Sequence, residues 1–502
     1  MKLLTDITPL REYPAFRRLW LGTMLSQAGS AMTNFALTLQ VYDMTHSTAA
    51  VGGLGVATLV PMLIIALPGG SLADTVDRRK LVLAMTTCQT LVSMLLFAQA
   101  VTGPGPAGIW LLYGLQAASS AIGAISAPAR TTFIPSLVRP GQLPSAMALN
   151  RIVFQTMMIA GPALAGVIVA AVGVKGCYLV DVITFAGAFY GVGRLPAMRP
   201  PATADKARGK LALTREGLSF IRRSQVLAGA FAADVSATFF ALPLSLFPAI
   251  NAERFGGDPR ILGLMPAAIG VGGMLTAVLA GPVRHVSRHG LAMIVAVVVW
   301  GSSFAVFAVT PWLWLTLLSL ATAGAADTYT VVFRQVIVQT VTPQEFRGRV
   351  NAADYVVGAG GGQLGSLESG VLGSLTSPAI SALSGGLLTI AAALALGAAL
   401  PGFRRYRAPE PAAEEPPEPT AEPAVEPAPE PPAEEAPEPS AEEGAEPSAE
   451  PAPEPAGEPA HEPTAEPAVE PPVEPGEPVE PAMAPAGTQA APDPRPPAVP
   501  SR

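Results

Sequence analysis

The stretch GGSLADTVDRRK, residues 69–80, separates two of the most apolar runs in the chain. Residues 51–70 before it carry no charge, and residues 81–101 after it carry none either. Between them stand Asp74, Asp77, Arg78, Arg79 and Lys80. A hydrocarbon core about 30 Å thick needs about 20 helical residues to cross it. Two such runs joined by a short charged turn therefore predict a helical hairpin that enters a bilayer and returns.

Working outward, runs of similar length recur at 19–42, 48–73, 80–101, 107–129, 143–171, 175–194, 224–250, 259–283, 290–309, 311–333, 347–374 and 378–401. The expected fold is an all-α multi-pass membrane protein with twelve transmembrane helices. The composition agrees: 50% of the 502 residues are hydrophobic and only 14% are charged, against about a quarter charged in ordinary soluble domains. Glycine and proline are frequent inside the runs, which membrane helices tolerate because small residues let neighbours approach. No phosphate-binding loop, nucleophile elbow or metal-ligand spacing is present, so no metal, cofactor or enzymatic chemistry is expected. Cys88 and Cys177 both lie in apolar runs and imply no disulfide framework.

Charge divides the chain. Residues 1–407 hold 29 Lys and Arg against 15 Asp and Glu, a net of +14, whereas 408–502 hold 2 Arg against 23 acids, a net of −21. Taken alternately, one set of loops collects the bases: Arg17 and Arg18, the 78–80 cluster, Arg139, eight in 194–223, Arg284 and Arg288, Arg347 and Arg349, and three in 404–407. The other set offers Lys175, Arg254 and Arg260. Basic loops face the cytoplasm, so both termini are expected inside, in the inner (plasma) membrane. No nucleic-acid partner is expected; membrane lipids are.

The longest loop follows the sixth run, and its LTREGLSFIRRS can lie as an amphipathic helix on the inner surface. The connection after run four (Arg130, then Pro140) is echoed after run ten (Arg334, then Pro343). A duplicated six-plus-six design follows: a first bundle over 1–194, a central loop over 195–223, a second bundle over 224–401, and a tail over 402–502. The tail repeats Glu-Pro and Ala with no aromatic residue from 408 onward. It cannot bury a core, so the expectation is disorder with local polyproline II character. A solubilising role is the plain reading of it, and a cytosolic partner the alternative.

Residues 70–80, GSLADTVDRRK, resemble the loop signature of the major facilitator superfamily through Gly70, Leu72, Ala73, Asp74, Arg78, Arg79 and Lys80. Thr75 and Asp77 depart from it. The stretches 128–150, 324–350 and 360–373 look like the branch that includes the enterobactin exporter and drug or macrolide efflux proteins. The resemblance covers about 15–401. It implies that Gly70, Leu72, Asp74, Arg78 and Arg79 form a gating motif that latches the two halves on the cytosolic side when the transporter faces outward. Gly70 and Asp74 are one helical turn apart on a shared face, which anchoring by bases alone leaves unexplained. The AGPALAG of run five is similar to the exporter Gly-Pro element through Gly161, Pro162 and Gly166; Pro162 can kink the helix and the glycines permit close packing.

Five acids fall inside predicted runs, where an ionised carboxylate is costly and marks a pathway or a pair. Proton coupling needs a carboxylate whose affinity for the proton is tuned by its surroundings. Asp234, Asp327 and Glu368 are the candidates for proton coupling or substrate contact; Asp181 and Asp354 read as structural. The family's usual arginine midway along run four is missing, Gln116 being the strong polar group there. Phe231, Phe239, Phe240, Phe247, Met265 and Trp300 offer an apolar cavity lining. The expected function is a secondary active transporter exporting a small amphipathic or hydrophobic molecule by alternating access in exchange for protons. The alternatives are an importer or lipid flippase on the same fold, and a membrane sensor or scaffold acting through the acidic tail.

Overall fold

The computed structural model describes residues 6–407 apart from 74–75, 104, 106–107, 197, 199–209 and 280–285, and without the side chains of 66–73, 210–215, 352, 355, 356 and 359. A chain in hydrocarbon must satisfy every backbone N–H and C=O internally, and a helix does so within one segment. The described residues accordingly contain helices and no strand. Twelve helices are long: α1 Pro14–Thr45, α2 Thr48–Ala73, α3 Arg78–Thr102, α4 Gly108–Thr131, α5 Leu143–Val172, α6 Val174–Gly193, α7 Gln225–Phe240, α8 Pro259–Val278, α9 His289–Val309, α10 Leu313–Val341, α11 Gln344–Leu375 and α12 Pro378–Ala399. Ten segments of the described chain have both the length and the hydropathy to cross a membrane. The remaining two long helices, α1 and α11, have 32 residues each and are more polar, α1 through Ser, Thr, Gln and Asn in an uncharged stretch over 19–42 and α11 through its charges.

Local chemistry sets the ends. Asp77 caps α3, its carboxylate accepting from Arg79 N at 2.9 Å and Lys80 N at 3.3 Å. Asp258 and Ser377 cap α8 and α12, each followed by a proline at the first helical position, where the missing N–H costs nothing. The seventh span is broken. α7 stops at Phe240, a short 3₁₀ turn covers Leu244–Leu246, and the helix resumes over Phe247–Phe255. Pro243 explains the break, because it disfavours helical backbone at Leu242 and cannot donate to the helix ladder.

The helices pack as two six-helix halves. In the first, α1 lies along α6, α2 along α4, and α3 against both α4 and α6; in the second, α9 lies along α12, α8 along α10, and α7 against α11. The halves meet mainly through α2 on α11 and α5 on α8. Glycines make both contacts close. A Cβ at Gly52 would stand 2.7 Å from Ser366 O, and one at Gly55 2.6 Å from Gln363 O. Gly166 lies against Pro259 O, and Gly263 against Pro162 O. Thr48 Oγ1 donates to Gly370 O at 2.7 Å, and Ser245 Oγ to Ser366 O at 2.7 Å. By the alternation of the chain these contacts all gather at the end that carries the α1–α2 and α7–α8 connections. The halves are sealed at that end.

A fourteen-residue helix, Lys210–Arg223, stands between the halves in sequence and packs on the start of α11. Phe220 stacks on Phe346 with centroids 4.6 Å apart, Arg349 covers the same Phe346 ring at 5.1 Å, and Glu216 pairs with Arg349 at 3.2 Å. This exposed pair contributes little by itself. The aromatic stack and the close approach of Gly217 to Arg349 O, where a Cβ would stand 2.5 Å away, define the dock.

Gly52→Leu is expected to destabilise the protein by about 1–3 kcal/mol through overpacking of the seal. Gly114→Leu, at a position with open space around it, should change little. Thermal melting of the two variants in detergent, side by side, checks this: equal melting temperatures would contradict a close-packed α2–α11 contact.

Candidate functional site

Charge converges in the second half around Arg334 of α10, which is 7% exposed. Its Nε lies 3.5 Å from Asp234 Oδ1 of α7, and its Nη1 donates to Asp354 Oδ1 of α11. Asp327 stands two turns earlier on α10, within electrostatic reach of both Asp234 and Arg334. Carboxylates from two helices therefore pair with one guanidinium, and a third, Asp327, lies within electrostatic reach. Counted along their helices at 1.5 Å per residue, Asp234 and Asp354 each lie about 15 Å in from the end opposite the seal, and Asp327 about 21 Å in. Desolvated charges in a bundle strengthen each other's field and make any change of charge count there expensive or useful.

The sequence-predicted residues divide. Asp234 and Asp327 share the cluster, joined by Asp354 and by Arg334. Glu368 does not: it sits on the α11 stripe of exposed Leu364, Val371 and Leu375 and makes no ion pair or hydrogen bond among the described residues. Arg334 was visible in sequence only as a repeat marker. The run ending at 333 placed it outside the membrane, whereas α10 continues to Val341. The signal that locates it is its seven-residue spacing from Asp327, two turns on one helical face.

Phe231, Phe247, Met265 and Trp300 belong to the packed core and do not line an open cavity. Trp300 Nε1 donates to Ala237 O at 3.2 Å and its ring meets Phe304 edge-on; Phe239 and Phe240 are partly exposed. Gln116 of α4 donates to Thr58 Oγ1 of α2 at 2.9 Å. α5 runs unbroken as a helix through Pro162, and its Gly161 lies against Ala31 Cβ of α1. The Gly-Pro element thus gives α5 two close neighbours, α1 through Gly161 and α8 through Pro162 and Gly166.

Of the gating motif, Gly70 and Leu72 lie in the last turn of α2, and Asp74 lies outside the described residues. Arg78 N donates to Met198 O at 3.1 Å, and Arg79 Nη2 donates to Gly193 O. The described basic residues therefore grip the end of α6 within their own half. Asp77, a departure from the family signature, has a local reason in the α3 cap. Among the described residues no group of three or more His, Cys, Asp or Glu side chains has the arrangement of a metal site.

Comparison with known proteins adds an independent line. The sequence profile of the family described as transmembrane secretion effector matches residues 4–431. The enterobactin exporter EntS of Citrobacter koseri is 28% identical over 415 residues, covering 82% of this chain and 98% of that protein. EntS of Salmonella typhi is 28% identical over 418 residues with the same coverage. Among solved structures, a POT family transporter in complex with 5-aminolevulinic acid superposes with a TM-score of 0.63 at 11% identity, covering 78% of this chain and 97% of that one. The nucleoside transporter NupG gives 0.60 at 15% identity, covering 76% and 98%. At these identities the structures speak for the fold alone.

Removing Arg334 would leave its carboxylates uncompensated. Arg334→Ala is expected to cost about 3–5 kcal/mol, the usual penalty for breaking a buried pair from one side. Arg334→Lys should lose less. Monodisperse yield and melting temperature of the two variants measure the difference, and a wild-type melt for Arg334→Ala would refute the cluster's structural weight.

Proposed function

The chain belongs to the transmembrane secretion effector family of major facilitator transporters, and on that premise we propose that it exports a siderophore-like or other amphipathic small molecule across the bacterial inner membrane in exchange for protons. The observation that carries the coupling is the Arg334 cluster. Three carboxylates about one guanidinium leave a formal surplus of two negative charges, which protons or a cationic group of the cargo neutralise. Asp234 on α7, Arg334 and Asp327 on α10, and Asp354 on α11 bring three helices to this surplus, so a change in its charge alters how those helices hold together. Glu368 stays in the proposal as a separate contact on α11.

Alternating access needs two closures. The seal through Gly52, Gly55, Gly166 and Gly263 supplies one. The other would form at the opposite end, where Gly70, Leu72, Asp74, Arg78 and Arg79 end α2 and begin α3; we assign the latch to them. Gly161, Pro162 and Gly166 would let α5 pivot between α1 and α8. The excess of bases in one set of loops supports cytoplasmic termini. In this topology the tail is cytoplasmic, and its part from 408 onward is dispensable for transport; residues Pro401–Arg404 are helical and Phe403 is buried against α7 and α9.

Purified full-length protein in vesicles with an imposed pH gradient tests the reading, with enterobactin as the first probe because the curated relatives are named for it. Gradient-driven accumulation is expected, falling to the level of empty vesicles in the combined Asp234→Asn, Asp327→Asn and Glu368→Gln variant. Undiminished transport in that variant would remove the proton assignment. Movement in the opposite direction would establish an importer, and phenotype lost on deleting 408–502 from a chain that moves no probe would establish a scaffold.

A further inference from the structure

The first half contains a carboxylate that the mechanism above leaves unused. Asp181 lies midway along α6 and is 1% exposed. Its Oδ2 accepts hydrogen bonds from Thr33 Oγ1 of α1 at 2.9 Å and from Ser93 Oγ of α3 at 2.7 Å. Its Oδ1 has no hydrogen-bond partner. That oxygen faces Gly29 of α1, where a Cβ would stand 2.5 Å from it.

Among the described residues no cation pairs with the carboxylate. Every ion pair among the described residues lies in the second half or its docked helix. On α6, Cys177 and Tyr178 lie one turn before Asp181. The charges of α1 are Arg17, Arg18 and Asp43 toward its ends, those of α3 are Arg78, Arg79 and Lys80 at its start, α5 carries Arg151, α6 carries Lys175 with Arg194 just past its end, and Arg130 of α4 donates to Thr86 Oγ1 of α3 at 3.2 Å. None forms an ion pair with Asp181. Tyr178, one turn before it, donates to Gln40 Oε1 at 2.7 Å, and Gln40 Nε2 donates to Gln99 Oε1 at 2.9 Å. Gln99 Nε2 has no partner. Tyr178, Gln40 and Gln99 thus form a buried hydrogen-bonded chain across α6, α1 and α3 on the side of Asp181 toward the sealed end of the bundle, and no hydrogen bond joins it to Asp181.

Two hydroxyl bonds tie α1, α3 and α6 together, but a neutral Asn or Ser would provide that tie without the cost of a buried charge. The carboxyl is what such a role leaves unexplained. We propose that Asp181 is a proton-binding site of the first half, loaded and emptied during the transport cycle. The step is simple: a proton from the aqueous phase adds to Oδ1, Oδ2 keeps its two donors, and no other bond changes. The inference rests on proton-coupled transport and adds to it a site in the half that lacks the Arg334 cluster.

Infrared difference spectra of the purified full-length protein in lipid, recorded across a pH titration, test it. A pH-dependent carboxylic C=O band is expected that survives the Asp234→Asn and Asp327→Asn pair and disappears when Asp181→Asn is added. Thr33→Val keeps the carboxyl and removes one donor, so it should move the midpoint of that band. A band unchanged by Asp181→Asn overturns the proposal. Should Asp181→Asn fail to fold, an unmoved midpoint in Thr33→Val overturns it instead. Transport indifferent to the pH gradient, with the Asp181 band intact, would refute the coupling and keep the site; gradient-driven transport without the band refutes the site alone.

Discussion

Hydrocarbon solvates neither a free peptide group nor a free charge, and the placement of almost every polar atom here follows from that. Backbone groups are answered by long helices. Some charges are answered by other charges, and Arg334 is the clearest case: a buried guanidinium paired with carboxylates from α7 and α11. Its partners lie far apart in sequence, so the ion pairs specify how those three helices sit together.

The same constraint explains the first half by contrast. There two hydroxyls, of Thr33 and Ser93, donate to one carboxylate, Asp181, and two glutamines and a tyrosine bond to one another across the same three helices. The two halves repeat a helical plan while solving the problem of buried polarity differently. One uses a charge cluster, the other a carboxyl held by hydroxyls. Such an asymmetry suits a transporter whose halves do different work on the same cargo.

Small residues are the second consequence. Lipid supplies no hydrophobic drive between helices, so contact must come from close packing. Gly52 and Gly55 set α2 against α11, and Gly166 and Gly263 set α5 against α8. A seal made of glycines and carbonyls has few interlocked side chains to pull apart. It is therefore suited to opening and re-forming.

The spans themselves were legible in the sequence because an apolar run of the right length has one stable answer in a bilayer. α2 begins and ends where its run does, and Asp234 and Asp327 were recognisable as charges that hydrocarbon would not leave unanswered. The ends of α10 and the break in α7 were less legible. Arg334 lowers the local hydropathy and hides the last two turns of its helix, while Pro243 interrupts a run that reads as continuous. What the sequence determined by itself is the membrane class, the duplicated plan and the list of costly charges, since each depends on composition and spacing along one segment. Only the tertiary structure decided which charges meet. Asp354 joins Arg334, Glu368 stands apart and Asp181 pairs with no cation among the described residues, because partnership in a low-dielectric interior depends on distances between helices that no single segment encodes.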